Sequence, residues 1–187
     1  AIGRTLNIVR IGTSGSVQAD IPVDSFVISE KSIGCDGVLR FYANNESVCD
    51  HPFEEAFIRH CRWTPSAARP YVVNADPGLV DRLYDEEHTI KGVTLTAVGF
   101  YGPQGRVLRL PLAMPGINDR ITAFRYEGYK VTNYEMESAA ITGLCNLLGH
   151  RAATICLIIA NRINGDASAD YHSYMNKLIR YTLEKLS

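Results

Sequence analysis

Two carboxylates one residue apart, Glu135 and Glu137, flank Met136 in the run Asn133-Tyr134-Glu135-Met136-Glu137-Ser138-Ala139-Ala140. Behind them the chain enters an apolar helical pattern. A helix start accounts for one glutamate, because the partial positive charge of a helix N-terminus favours an anion. It accounts less well for a second at i+2 beside apolar residues. Carboxylates so placed could accept hydrogen bonds from paired hydroxyls, as on a ribose. On its own, the helix start is the simpler explanation.

Two other stretches carry chemistry-bearing side chains. In Arg10-Ile11-Gly12-Thr13-Ser14-Gly15 a strand is expected to end in a glycine turn. Backbone N–H groups, a hydroxyl and a guanidinium there would make an anion site. An ordinary turn with a surface arginine fits the same residues. Phe100-Tyr101-Gly102-Pro103-Gln104-Gly105-Arg106 reads as a loop after a strand. Gln104 can donate and accept at once, which suits an amide-like heterocycle edge. Arg106 can stabilise negative charge on an oxygen, and Phe100 can stack. A solvated loop explains the spacing as well. The five histidines fall in no metal-ligand spacing. No Walker-type lysine loop, GxGxxG or nucleophile-elbow serine occurs.

The elements that would position these groups alternate. The pattern predicts a strand at Thr5–Ile11, a strand at 24–33, a helix at Asp50–Cys61 and a helix opened by Asp76-Pro77-Gly78. Thr89–Phe100 reads as a strand, Ile117–Tyr126 as a helix, and a helix follows Glu135 as far as Gly149. Ala152–Ala160 is apolar throughout, as in a strand covered on both faces. Asp170–Leu186 closes the chain as an amphipathic helix. Strands alternating with helices predict an α/β fold with a mixed, largely parallel central sheet flanked by helices.

The 187 residues, 46% apolar and 21% charged, predict one domain over 1–187 with a sizeable core. A net charge of −1 without charge runs argues against nucleic acid or a membrane surface as partner. Five cysteines without CxxC spacing predict buried, reduced thiols in a cytoplasmic protein.

RIGTSG, FYGPQGR and NYEMES, in this order, resemble the uridine phosphorylases of the nucleoside phosphorylase family, and the resemblance runs over essentially the whole chain. It implies phosphorolysis of uridine to uracil and ribose 1-phosphate in pyrimidine salvage. No cofactor is implied, and inorganic phosphate is the co-substrate. Arg10 and Thr13 would hold phosphate, while Thr13, Ser14 and Gly15 would line the nucleoside pocket. Phe100 would stack, and Gln104 and Arg106 would read the uracil edge. Glu135, Met136 and Glu137 would hold the ribose, with Glu137, Gln104 and Arg106 closest to the chemistry. Ile159 and Arg162 would close the base pocket. Purine enzymes of the family usually carry Ser-Asp where this chain has Asn161-Arg162, which favours a pyrimidine over the purine alternative. The resemblance also implies a homo-oligomer, a hexamer built from dimers with shared sites. It further implies an N-terminal part of the family fold that this chain lacks.

Overall fold

The computed structural model describes residues 3–187. Its elements are β1 (Asn7–Ser16), β2 (Phe26–Gly34), α1 (His51–Cys61), β3 (Tyr71–Asn74), α2 (Pro77–Leu83), β4 (Thr89–Thr96) and α3 (Ile117–Ala123). There follow β5 (Arg125–Tyr126), β6 (Tyr129–Glu135), α4 (Ser138–Leu147), β7 (Arg151–Asn161), β8 (Asp166–Ala167) and α5 (Tyr171–Leu186). The sheet is mixed and runs β3-β2-β4-β6-β1-β7-β8. Its two longest ladders, β1–β7 and β2–β4, are parallel. β2 also pairs antiparallel with β7, so β2, β4, β6, β1 and β7 close into a ring.

Side-chain oxygens start three of the helices. Asp50, Asp76 and Asp170 accept from the backbone N–H groups of Phe53, Leu79 and Ser173, each taking up a donor that the first helical turn leaves free. The apolar faces pack outside the ring. Phe53, Phe57 and Phe124 sit with Val93, Leu95 and Val131, their rings edge to face at 5.4 Å. Leu79, Leu83 and Leu178 cover Ile155 and Leu157 of β7. On β4 the residues that alternate with Val93 and Leu95, Thr94 and Thr96, are polar and buried. Ser29, Thr94, Asn133 and Ser14 form a bonded thread: Ser29 Oγ and Thr94 Oγ1 lie 2.6 Å apart, Thr94 donates to Asn133, and Asn133 donates to Ser14 Oγ. Uninterrupted bonding offsets the cost of burying these groups.

Four expectations need correction. Gly12–Gly15 is not a turn; it lies inside β1. The glycines are there for room. A Cβ at Gly12 would sit 2.6–2.8 Å from the Arg10 guanidinium, and one at Gly15 would sit 3.3 Å from Arg162 Nε. The strand at 89–100 ends at Thr96, where the chain leaves the sheet for an exposed loop. The helix expected to reach Tyr126 ends at Ala123, because Arg125 and Tyr126 pair with Lys130 and Tyr129. The two-residue turn between them, Glu127-Gly128, has φ of 49° and 81°, the geometry that matches strand twist. The strand at 24–33 begins at Phe26, since Asp24 takes a φ of 68°. β3 was not anticipated; its four residues are too short to show a period. Among the described residues no helix is long and apolar enough to cross a membrane.

Candidate active site

One cluster forms where β1 and β6 part. These strands pair only at Gly15–Tyr134 and Ser16–Asn133. Continuing that antiparallel register puts Glu137 level with Gly12. The Arg10 side chain lies over Gly12, donates to Glu137 Oε2 and to Cys156 Sγ at 3.3 Å, and sits 3.2 Å from Glu135 Oε2. Burial works against the Arg10 charge, but the electron-rich Cys156, Glu135 and Glu137 outweigh it and raise the Arg10 pKa. Burial pushes the Cys156 thiol up to about 11 despite the guanidinium beside it.

The two glutamates differ. Glu135 is 4% exposed. Its Oε1 accepts from Thr96 Oγ1 at 2.5 Å and Ser138 Oγ at 2.7 Å; its Oε2 accepts from the backbone N–H groups of Glu137 and Ser138 at 2.9 and 2.8 Å. With Arg10 this uses the acceptor capacity of the carboxylate. Glu135 thus satisfies the opening of α4, and Thr96 Oγ1 completes the task by accepting from Ala139 N–H at 3.0 Å. Glu137 caps nothing with its side chain, which is 53% exposed and whose carboxylate, among the described residues, has Arg10 as its one polar partner. Met136 beside it is also exposed.

The second cluster joins the loop after β4 to the end of β7. Gln104 is 2% exposed. Arg106 Nη1 donates to Gln104 Oε1 at 2.8 Å, and Arg162 Nη2 donates to the same oxygen. Arg162 also donates to the Gln104 carbonyl at 3.2 Å and lies 4.5 Å from the centre of the Tyr134 ring. Arg106 lies 3.9 Å from the centre of the Phe100 ring, which is otherwise exposed. Among the described residues neither guanidinium has a carboxylate within 4 Å. Burial and then the neighbouring Arg106 hold the Arg162 pKa down at about 10, and burial lowers that of Arg106. Two cations around one amide oxygen make a site short of negative charge.

The remaining candidates surround these clusters. Thr13 is half-buried on β1, aligned with Leu157, just before a bulge at Ser14–Gly15. Ser14 is buried and held by Asn133. Gly15 lets Arg162 approach β1. Ile159 packs among the apolar residues under α5. Beside the Gln104 loop lies an apolar cavity of about 850 Å³ lined in part by Cys35, Trp63, Val98, Tyr101 and Arg106; it includes neither Arg10 nor either glutamate. Among the described residues no group of three or more His, Cys, Asp or Glu side chains could hold a metal ion. Sequence reasoning gave no role to Thr96, Cys156, Asn118 or Tyr134. Only Tyr134 carried a signal, its place inside NYEMES.

The site thus combines a closed mixed ring, a guanidinium facing two carboxylates, and a pair of arginines on one amide oxygen. The family profile described as Phosphorylase superfamily matches residues 3–182, and the chain belongs to that family. It is 36% identical over 160 residues to uridine phosphorylase A of Schistosoma mansoni, covering 84% of this chain and 49% of that one. Against uridine phosphorylase of Thermococcus kodakarensis it is 26% identical over 164 residues, covering 84% and 50%. The crystal structure of Trypanosoma brucei nucleoside phosphorylase, which shows uridine phosphorylase activity, shares the fold with a TM-score of 0.77 at 23% identity, covering 96% of this chain and 63% of that one. The chain spans about half the length of the curated relatives it matches.

Proposed function

We propose that the protein catalyses reversible phosphorolysis of uridine to uracil and ribose 1-phosphate. The observation that carries this reading is the Gln104–Arg106–Arg162 cluster: two guanidiniums on one amide oxygen with no carboxylate partner. A leaving uracil takes the electron pair of the C1′–N bond, and its negative charge is spread from the ring nitrogen over the carbonyl oxygens. Donors fixed in advance around such a charge lower the barrier. Phosphate supplies the oxygen that bonds to C1′ as the C1′–N bond breaks, and its charge steadies the cationic sugar. Arg10 would take phosphate in place of Glu137, with Thr13 beside it. Glu137, released, would accept from the ribose hydroxyls, over Met136. Glu135 would act by fixing the backbone of Glu137, Phe100 would stack, and Ser14 and Gly15 would shape the pocket; Ile159, on the α5 side of β7, lies away from it. Holding both substrates in line supplies much of the rate. We also propose a cytoplasmic hexamer built from three dimers that needs no cofactor; the exposed apolar run Val107, Leu108 and Leu110 beside the site is in keeping with burial in an assembly.

A purine substrate fits less well. Asn161 is spent in a turn, donating to the Gln18 and Ile21 carbonyls and accepting from Ile163 and Asn164 N–H, and Arg162 offers donors where a purine would need an acid. A non-catalytic nucleoside-binding protein is the second reading. It draws on the 36% identity over 87 residues to inactive uridine phosphorylase B of Schistosoma mansoni. The test is the ultraviolet absorbance of uridine incubated with the full-length protein, with and without phosphate. Cleavage only with phosphate is expected. Cleavage without phosphate would mean a hydrolase, and binding without cleavage would mean the second reading.

A further inference from the structure

Asn118 on α3 touches both halves of the cluster that meets the base. Its Nδ2 donates to the carbonyls of Gln104 at 3.2 Å and Gly105 at 3.3 Å, and its Oδ1 accepts from the Tyr134 hydroxyl at 3.3 Å. Only one amide orientation serves these partners, since carbonyls cannot donate. Tyr134 in turn lies under Arg162. One half-buried side chain therefore ties the exposed loop bearing Gln104 and Arg106 to the ring beneath Arg162. The anchor is firm: Ile117 and Ile121 are buried in the aromatic core, and Arg120 Nε on the same helix donates to the Cys61 carbonyl at 2.7 Å.

Gly105 fits the same purpose. Its φ is +69°, and a Cβ there would meet Asn118 side-chain atoms at 2.5–2.6 Å. Glycine is thus required both by its backbone angle and by the approach of Asn118. Without that amide, the hydrogen bonds of Gln104–Arg106 among the described residues would be those that involve the two arginines themselves and the turn bonds from Gln104, Gly105 and Arg106 N–H back to Tyr101 and Gly102.

We infer that Asn118 is a positioning residue that sets the distance between the Gln104–Arg106 loop and the Tyr134–Arg162 pair. This rests on the proposed function, since the pair is taken to receive the base. The test is steady-state kinetics of the full-length protein with uridine and phosphate varied separately. Asn118→Ala should lower kcat/KM for uridine by roughly 10- to 100-fold, the scale of a displacement near 1 Å at a reacting centre, with KM for phosphate within about twofold. Asn118→Asp keeps the acceptor for Tyr134 but loses both donors to the loop, so it should fail as badly. Tyr134→Phe, which spares the loop bonds, should cost less than either. In the Asn118→Ala background, Gly105→Ala should cost less than in wild type, because the clash is gone.

Unchanged uridine kinetics in Asn118→Ala would overturn the inference. So would parallel losses for uridine and phosphate with a lowered melting temperature, which mark a general structural role. Wild-type protein inactive on uridine would instead refute the proposed function. The clamp would then be read by amide hydrogen exchange at Gln104–Arg106, faster in Asn118→Ala if the clamp exists and unchanged if it does not.

Discussion

The two clusters meet opposite ends of the same problem with opposite electrostatics. Around Arg10, a cation is balanced by Glu135 and Glu137 and fixed by strands β1 and β6. Around Gln104, two cations share one neutral oxygen and are held by a loop. The first is a framework already satisfied, in which a ligand must replace a protein partner. The second is short of negative charge until a ligand supplies it. Stability therefore resides in the first and, on the proposed phosphorolysis, sensitivity to the chemistry of the leaving group in the second.

The contrast can be broken most easily at Glu135. Glu135→Ala leaves two hydroxyls, two backbone donors and part of Arg10 without their acceptor, so it should cost about 3–5 kcal/mol of stability, at about 1–3 kcal/mol for each buried donor left wholly unpaired. Urea unfolding of the full-length protein checks this; a loss under 1 kcal/mol would mean the carboxylate is not the keystone of α4.

Arg162→Met is the converse. It removes a guanidinium whose pKa burial and Arg106 depress, so charging that group costs the folded state. A cation with a lowered folded pKa penalises folding in full below about 10, and the penalty fades only as pH climbs from there toward the ordinary arginine value. Stability at neutral pH should hold or rise slightly, while uridine turnover should fall by about 100-fold, the range for a lost charge-stabilising donor. Loss of both would make Arg162 an ordinary core contact.

Arg10→Ala should raise KM for phosphate more than KM for uridine, because a guanidinium pairs with an oxyanion. Equal increases would place Arg10 outside the phosphate site. The smallest effect belongs to Glu137→Gln, which keeps shape and one acceptor. It should narrow the preference for uridine over 2′-deoxyuridine, itself worth on the order of 1–3 kcal/mol, roughly tenfold or more. An unchanged preference with full activity would detach Glu137 from the ribose.

The difference between the clusters also explains what the sequence made legible. NYEMES read correctly as two carboxylates at the opening of a helix, because capping is local and leaves a local trace; that a strand delivers them was not legible. Asp50, Asp76 and Asp170 marked their helices for the same reason. The apolar run of β7 stood out because both its faces are covered. Gly12–Gly15 misled, since a glycine that clears space for a distant guanidinium looks the same as one that turns the chain. Thr96, Cys156 and Asn118 reach the site through pairings far apart in sequence, and no spacing announces them. Closure of the ring through β2 and β7 was equally hidden. That Glu135 is saturated while Glu137 is open depends on Thr96, far off in sequence, as well as on Ser138 and the backbone inside the motif.

The most direct measurement compares uridine with a nucleoside whose base is more acidic, such as 5-fluorouridine, in wild type and Arg106→Ala. If Arg106 stabilises charge on the departing base, kcat falls more than KM rises, and the loss is smaller for the more acidic base, which needs less help. An equal loss for both nucleosides would contradict that claim and leave the two arginines as mere fixtures of the loop.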